Sequence, residues 1–368
     1  MTRISVLVVD DSVVVRRLVS DVLASDPDID VVGAASNGKI ALAKIPQLNP
    51  DIVTLDVEMP VMDGLETLVE LRKLYPRLPV IMFSTLTERG AGATLDALER
   101  GASDYVTKPA NVGSISASMD AVRAQLIPKI KSLCPRGDEI LAPMPTPAAP
   151  TAAARPLVTP VTPTIARSPQ TTQGRIEVLA IGCSTGGPNA LAELLPLLPG
   201  DLSVPVVLVQ HMPPLFTRLL GERLNEKSAL SVKEAVDDEP IHPGGVWIAP
   251  GDFHLELRRS GAGQVRTHLQ QGPHENSCRP AVDVLFRSVA AIYGGHTLAV
   301  VLTGMGQDGL RGSEVIHERG GEILVQDEAS SVVWGMPGFV SRAGLASRVL
   351  PIPAIAQEIV RRIARAAA

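Results

Sequence analysis

Nine prolines between Pro135 and Pro169, set among alanine, threonine and serine, divide this chain more decisively than any other feature in it. Proline withholds a backbone donor and blocks helix interiors, and the stretch has no apolar periodicity from which a core could form. It is expected to be an extended, partly polyproline-like tether. A chain of 368 residues has room for two or three domains. The tether sets the boundaries: residues 1–130 as one folded unit, 131–175 as the linker and 176–368 as a second unit.

Both flanking units read as α/β. Ile4–Val9, Ile29–Val32, Ile52–Leu55, Val80–Phe83 and Tyr105–Val106 are apolar runs of strand length. Val14, Val15, Leu18, Val19, Val22 and Leu23 recur at helical spacing, and further helices are predicted near 39–47, 65–74, 93–100 and 115–131. Five strands alternating with five helices imply a parallel sheet covered on both faces. In the second unit, strands are predicted at Val178–Ile181, Val206–Val209, Leu298–Leu302 and Glu322–Val325. Helices are predicted near 189–195, 215–225, 281–292, 310–319 and 353–365, with a β-hairpin between Trp247 and His268. This unit is expected to be α/β with a mainly parallel sheet. Only 3% of the chain is aromatic against 45% hydrophobic, so both cores must be built from Val, Leu, Ile and Ala.

Several classes are disfavoured. A net charge of -5 argues against a protein that coats nucleic acid. Cys134, Cys183 and Cys278 are widely spaced and form no CxxC pair, so no disulfide framework or zinc site of the usual spacing follows. A reducing, cytoplasmic setting is the simplest expectation. The opening MTRISVLVVDDS is too short in its apolar run and too acidic for a signal peptide. No apolar stretch approaches the ~18 residues of a membrane span.

The carboxyl ends of the first unit's strands carry the chemistry. Asp10 and Asp11 follow the first strand, Asp56 the third, Ser84 ends the fourth, and Lys108 follows the fifth. Ligands of open parallel sheets bind at that edge. Three converging carboxylates would repel one another, and a hard divalent cation, most naturally Mg²⁺, resolves the conflict. One carboxylate could then accept a phosphoryl group whose oxygens Lys108 and the Ser84 hydroxyl hold. A single strand-end aspartate is commonly just a helix cap, and Asp11 could cap the helix near Ser12. Polar groups of these types after four different strands are not explained that way.

VVDDS, TLDVEMPVMDG, MFST and YVTKP resemble the receiver domain of two-component response regulators, over about residues 3–125. The resemblance implies a five-stranded, flavodoxin-like sheet with Asp56 as phosphoacceptor. It implies Mg²⁺ held by Asp10, Asp11, Asp56 and the main-chain carbonyl of Glu58. Ser84, Lys108 and Tyr105 become the switch residues, and the phosphodonor is a sensor histidine kinase.

In the second unit, VLAIGCSTGGPNAL reads as strand, glycine-rich turn and helix. Gly182–Gly186 fits G-x-S-x-G, which places a serine on a sharp strand-to-helix turn. The loop alone favours a nucleophile only slightly over a phosphate cradle or a plain tight turn, although GxGxxG and GxxxxGK[ST] are absent. A serine nucleophile needs a base and an orienting carboxylate. His211 follows the strand VVLVQ, and Asp308 lies just after the strand AVVLT, both at the same edge as Ser184. Cys183 is a rival nucleophile, but it precedes the turn centre and is expected to point into the sheet.

GCSTGGP, QHMP, CRPAVDVLF and TGMGQDG together resemble the CheB protein-glutamate methylesterases of bacterial chemotaxis, and with the receiver pattern in front the match spans nearly the whole chain. This implies Ser184 as nucleophile, His211 as base, Asp308 as its orienting carboxylate and the Met305 main-chain N–H as oxyanion donor. It implies hydrolysis of γ-glutamyl methyl esters, and deamidation of certain glutamines, on methyl-accepting chemoreceptors, with no cofactor for the esterase step. It further implies that the unphosphorylated receiver covers the active site. Two other classes stay in view. A response regulator with a nucleic-acid-binding output is disfavoured by the lack of a helix-turn-helix signal. A silent receptor-binding adaptor is disfavoured by the intact Ser184–His211–Asp308 set.

Overall fold

The computed structural model describes residues 3–108, 115–135, 175–261 and 263–364. The proline-rich segment therefore lies almost wholly outside the described residues. The first unit runs β1 (Ile4–Val9), α1 (Val13–Ala24), β2 (Ile29–Ala35), α2 (Gly38–Leu48), β3 (Ile52–Asp56), α3 (Gly64–Leu74), β4 (Val80–Ser84), α4 (Glu88–Glu99), β5 (Asp104–Thr107) and α5 (Ile115–Leu133). All five strands are parallel, in the order β2-β1-β3-β4-β5. The order reverses between β1 and β3, and a crevice opens at their carboxyl ends. Asp10, Asp11 and Asp56 stand there.

Two helices are longer than the sequence suggests. α4 begins at Glu88, before the expected 93, because the Thr87 side chain accepts from the Gly90 N–H and caps it. Gly90 and Gly92 had masked that turn. α5 continues to Leu133, where Lys131 pairs with Asp26 and Asp28 at 2.9 Å each. The first folded unit thus reaches slightly beyond residue 130.

The second unit runs β6 (Val178–Cys183), α6 (Gly187–Leu194), β7 (Val206–Gln210), α7 (Phe216–Lys227), β8 (Ser231–Glu234), β9 (Gly245–Ile248), β10 (His254–Arg259), β11 (Val265–Gln270), α8 (Val282–Tyr293), β12 (Thr297–Val301), α9 (Leu310–Glu318), β13 (Glu322–Gln326), α10 (Met336–Arg342), β14 (Arg348–Leu350) and α11 (Ile352–Ala364). Seven strands form one parallel sheet in the order β14-β13-β12-β6-β7-β9-β8. The expected hairpin is β10–β11, antiparallel from His254↔Gln270 to Arg259↔Val265. Trp247 lies in β9 of the main sheet instead, fully buried. The chain leaves the central strand β6 toward β7 on one side and later returns to β12 on the other. The carboxyl ends of these three neighbours bring together the loops that carry Ser184, His211 and Asp308. No described helix is long and apolar enough to cross a membrane.

Candidate active site

The acidic crevice of the first unit is a cavity of about 250 Å³ lined by Asp11, Asp56, Glu58, Ser84 and Lys108. Carboxylate oxygens of Asp10, Asp11 and Asp56 all lie within 4.8 Å of one another. Lys108 Nζ sits 2.7 Å from Asp56 Oδ2 and 3.0 Å from Asp10 Oδ2. Burial raises Asp56 to about 6; the Lys108 ammonium works against that rise and the Asp10 charge adds to it. Asp10 Oδ2 is buried and, apart from the ammonium contact, accepts no hydrogen bond from the described residues. Hard oxygen donors that include an open buried acceptor fit a divalent cation. The Ser84 hydroxyl is turned away, donating to Gly90 O at 3.0 Å. Tyr105 is buried, and its ring stacks on Phe216 of the second unit at 4.8 Å, with the two planes 7° apart.

In the second unit, Cys183 pairs with Gln210 across β6 and β7, so Ser184 and His211 are the next residues out of adjacent strands. The Gln210 amide ties the two exits together, donating to Ser184 O at 2.9 Å and His211 O at 3.3 Å. Gly186 turns the loop into α6 at φ 77°, a backbone state that L side chains rarely adopt. Gly304 lies against the serine: a Cβ there would fall 2.9 Å from Ser184 Cβ. The next residue, Met305, offers a main-chain N–H that donates to no described group.

His211 Nε2 lies 2.7 Å from Asp308 Oδ2. Asp308 is almost fully buried and also accepts from the main-chain N–H groups of Val282, Asp283 and Gly309. Burial opposes its ionisation, but the His211 bond and these N–H groups outweigh that and hold it below the ordinary carboxylate value. Burial likewise disfavours the His211 imidazolium, whereas the Cys278 sulfur and the Asp308 carboxylate favour it and raise the pKa of the ring. The Ser184 hydroxyl has no hydrogen-bond partner among the described residues. His211 Nδ1 instead faces Cys278 Sγ at 3.6 Å. Cys183 is no competitor: it is fully buried with Sγ against Gln210 Oε1, and burial pushes its thiol far up.

The chain matches two family models, the response regulator receiver domain over residues 6–120 and CheB methylesterase over residues 179–359. A protein-glutamate methylesterase/protein-glutamine glutaminase from a Nocardioides species is 58% identical, covering 99% of this chain and 97% of the relative. One of the same name from Trichodesmium erythraeum is 53% identical, covering 99% of this chain and all of the relative. The chain belongs to the CheB family. The catalytic domain of CheB methylesterase from Thermotoga maritima aligns with 50% of this chain and 98% of its own length, at 44% identity and a TM-score of 0.50.

The receiver of this CheB-family chain reaches the Ser184–His211 region at three points. Asp104 Oδ2 accepts from the hydroxyl of Thr185, the residue after Ser184, at 2.6 Å and buried. Ser132 of α5 donates to Met305 Sδ at 3.4 Å. Tyr105, Thr107, Gln125 and Lys129 form one wall of a cleft of about 590 Å³ whose other wall holds His211 and Cys278. The acidic α4 lies beside the basic face of α7: Arg223 meets Asp96 at 2.6 Å and the Gly92 carbonyl at 2.8 Å, and Lys227 meets Glu99 at 2.9 Å. Sequence reasoning did not single out Asp104, Thr185, Phe216, Asn276 or Cys278. Thr185 and Cys278 lie within motifs already quoted, so motif membership was the one available signal.

Proposed function

We propose that this chain is a phosphorylation-regulated serine hydrolase that removes methyl esters from γ-glutamyl side chains of methyl-accepting chemoreceptors and deamidates certain of their glutamines. The observation that carries this reading is the His211–Asp308 pair, 2.7 Å apart with Asp308 buried and His211 half-buried, at the strand end adjacent to the Ser184 turn and under the receiver. Ser184 Oγ attacks the ester carbonyl carbon as its proton passes to His211 Nδ1, the nitrogen that Asp308 leaves free. The developing oxyanion is held by the Met305 N–H, and the N-terminus of α6 favours the same charge. His211 returns the proton to the departing methoxide, releasing methanol. Water, deprotonated by the same nitrogen, then cleaves the acyl-serine to glutamate. An amide substrate follows the same path but needs protonation at nitrogen as ammonia leaves.

Asp56 is the phosphoacceptor, and a sensor histidine kinase is the donor. Asp10, Asp11, Asp56 and the Glu58 carbonyl would hold Mg²⁺, which when bound neutralises charge on the transferring phosphoryl group. Once Asp56 carries phosphate, Lys108 and the Ser84 hydroxyl gain oxygens to bind, and Ser84 leaves Gly90 O. Gly90 belongs to α4 and Tyr105 to the strand that ends beside Lys108, so the change is delivered to the two elements docked on α7, Phe216 and Thr185. The partly exposed ion pairs between α4 and α7 are individually weak, which suits an equilibrium balanced within a few kcal/mol.

The test is methanol release from methylated receptor membranes. Acetyl phosphate with Mg²⁺ is expected to raise it, and Asp56→Asn to abolish that rise while sparing basal activity. A response that survives Asp56→Asn rejects Asp56 as the acceptor. Arg223→Glu, which sets a like charge against Asp96 and Glu99, is expected to raise basal activity without phosphodonor. Unchanged basal activity in that variant would mean that the α4–α7 contact does not hold the cover closed.

A further inference from the structure

The orienting carboxylate does not stand alone. Asp283, in the first turn of α8, is buried and sits beside Asp308, and burial together with the Asp308 charge raises it to about 6. Asp283 Oδ1 accepts from the Gly312 N–H at 2.6 Å. A single side-chain nitrogen faces both acids: Asn276 Nδ2 lies 2.9 Å from Asp283 Oδ2 and 2.9 Å from Asp308 Oδ1. The two hydrogens of one amide thus bridge two neighbouring carboxylates.

The backbone around Asn276 is built to deliver that amide. Glu275 N donates to Cys278 O at 3.1 Å and Cys278 N to Glu275 O at 2.9 Å, closing a four-residue turn. Its central residues, Asn276 and Ser277, have φ of 51° and 62°. Two consecutive left-handed residues are the mark of a primed turn, where asparagine is among the best-tolerated side chains. The turn is pinned to α8 by a two-point contact of Glu275 with Arg287 at 2.7 and 2.6 Å. Its last residue is Cys278, the thiol that faces His211 Nδ1. One short turn therefore touches both the base and its orienter.

We propose that Asn276 is a positioning residue of the hydrolytic site, its amide nitrogen bridging Asp283 and Asp308 so that the Asp308 carboxylate stays aimed at His211. This rests on the Ser184–His211–Asp308 reading. The titratable and charged groups around the amide are Asp283 and Arg287 from α8, Asp308 from the loop before α9, Glu275 and Cys278 from the turn, and His211 beyond Asp308.

A role confined to shaping the turn predicts something different, and two substitutions separate the cases. Asn276→Gly keeps a residue at ease with positive φ and removes the donor. Asn276→Asp keeps the size and tolerates the same backbone, but sets a third carboxylate against two. The assay uses the full chain with acetyl phosphate and Mg²⁺, following methanol release from methylated receptor membranes between pH 6 and 8.5. Losing a hydrogen bond to a charged group should lower kcat of Asn276→Gly about 10- to 100-fold, with KM within about twofold of the original. Asn276→Asp should be slower still at pH 8, and its activity relative to the parent chain should rise toward pH 6 as the new carboxyl takes up a proton and regains a donor. Asn276→Gly with near-parental kcat overturns the proposal, as does an Asn276→Asp ratio that is flat with pH. If Asn276→Asp does not fold, the kcat and KM of Asn276→Gly decide the matter alone. Ser184→Ala is run alongside. Activity retained there would sink the triad itself, whereas an inert Ser184→Ala beside an unaffected Asn276→Gly removes only the positioning role.

Discussion

Ser184→Ala is expected to cut methanol release by three or more decades, on the order of 10³-fold at least, while phosphorylation of Asp56 proceeds as before. The two outcomes separate because the sites belong to different sheets. Ser184 leaves β6 beside Gly304, and its Cβ contributes little packing that alanine would not supply. Oγ has no hydrogen-bond partner among the described residues, so its removal leaves no buried donor or acceptor behind. The fold should therefore survive, and any lost activity reports chemistry rather than unfolding. A fluorophosphonate probe should label the parent chain, more strongly after acetyl phosphate treatment, and leave Ser184→Ala unlabelled. Retention of a tenth of the parental turnover would end the serine assignment. The thiol to examine next would then be Cys278, 3.6 Å from His211 Nδ1, and not the fully buried Cys183.

Much of this was legible in the sequence because parallel strands buried on both faces read as plain apolar runs, and whatever polar residue follows such a run is conspicuous. Asp10, Asp56, Ser184 and His211 each announce themselves in that way. β8 and β14 did not, since edge strands such as SVKE and RVL keep one side in water and carry polar residues. α10 was hidden by the Pro and Gly in MPGFVSR. Asn276 and Cys278 were illegible for another reason. Their importance lies in a turn that meets Asp308 and His211 across 32 and 67 residues of chain, and no local spacing encodes that meeting. The Asp104–Thr185 contact is more remote still, because it exists only once two separately folded units are docked.

Asp308→Asn should leave KM near its original value but lower turnover about 10²- to 10⁴-fold, and the surroundings of Asp308 say why. Oδ1 accepts from Asn276 Nδ2 and from the Asp283 and Gly309 N–H groups; Oδ2 accepts from the Val282 N–H and faces His211 Nε2. An asparagine must point its NH₂ at one of these two sets. Around Oδ1 every neighbour is a fixed donor. Around Oδ2 only Val282 is, because the imidazole can change tautomer and become an acceptor at Nε2. The amide nitrogen is thus driven toward His211, and the ring proton moves to Nδ1, the nitrogen that has to take the Ser184 proton. The base is lost although every atom stays close to its place. Loss of the carboxylate also removes a charge that holds His211 up, so the residual activity should gain its basic form at lower pH. The acid limb of kcat/KM moves down in Asp308→Asn relative to the parent chain. A pH-resolved comparison with Asp283→Asn completes the test. If Asp308→Asn is nearly silent with an unmoved acid limb while Asp283→Asn is crippling, the orienting carboxylate is Asp283 and the Asp308 assignment is wrong.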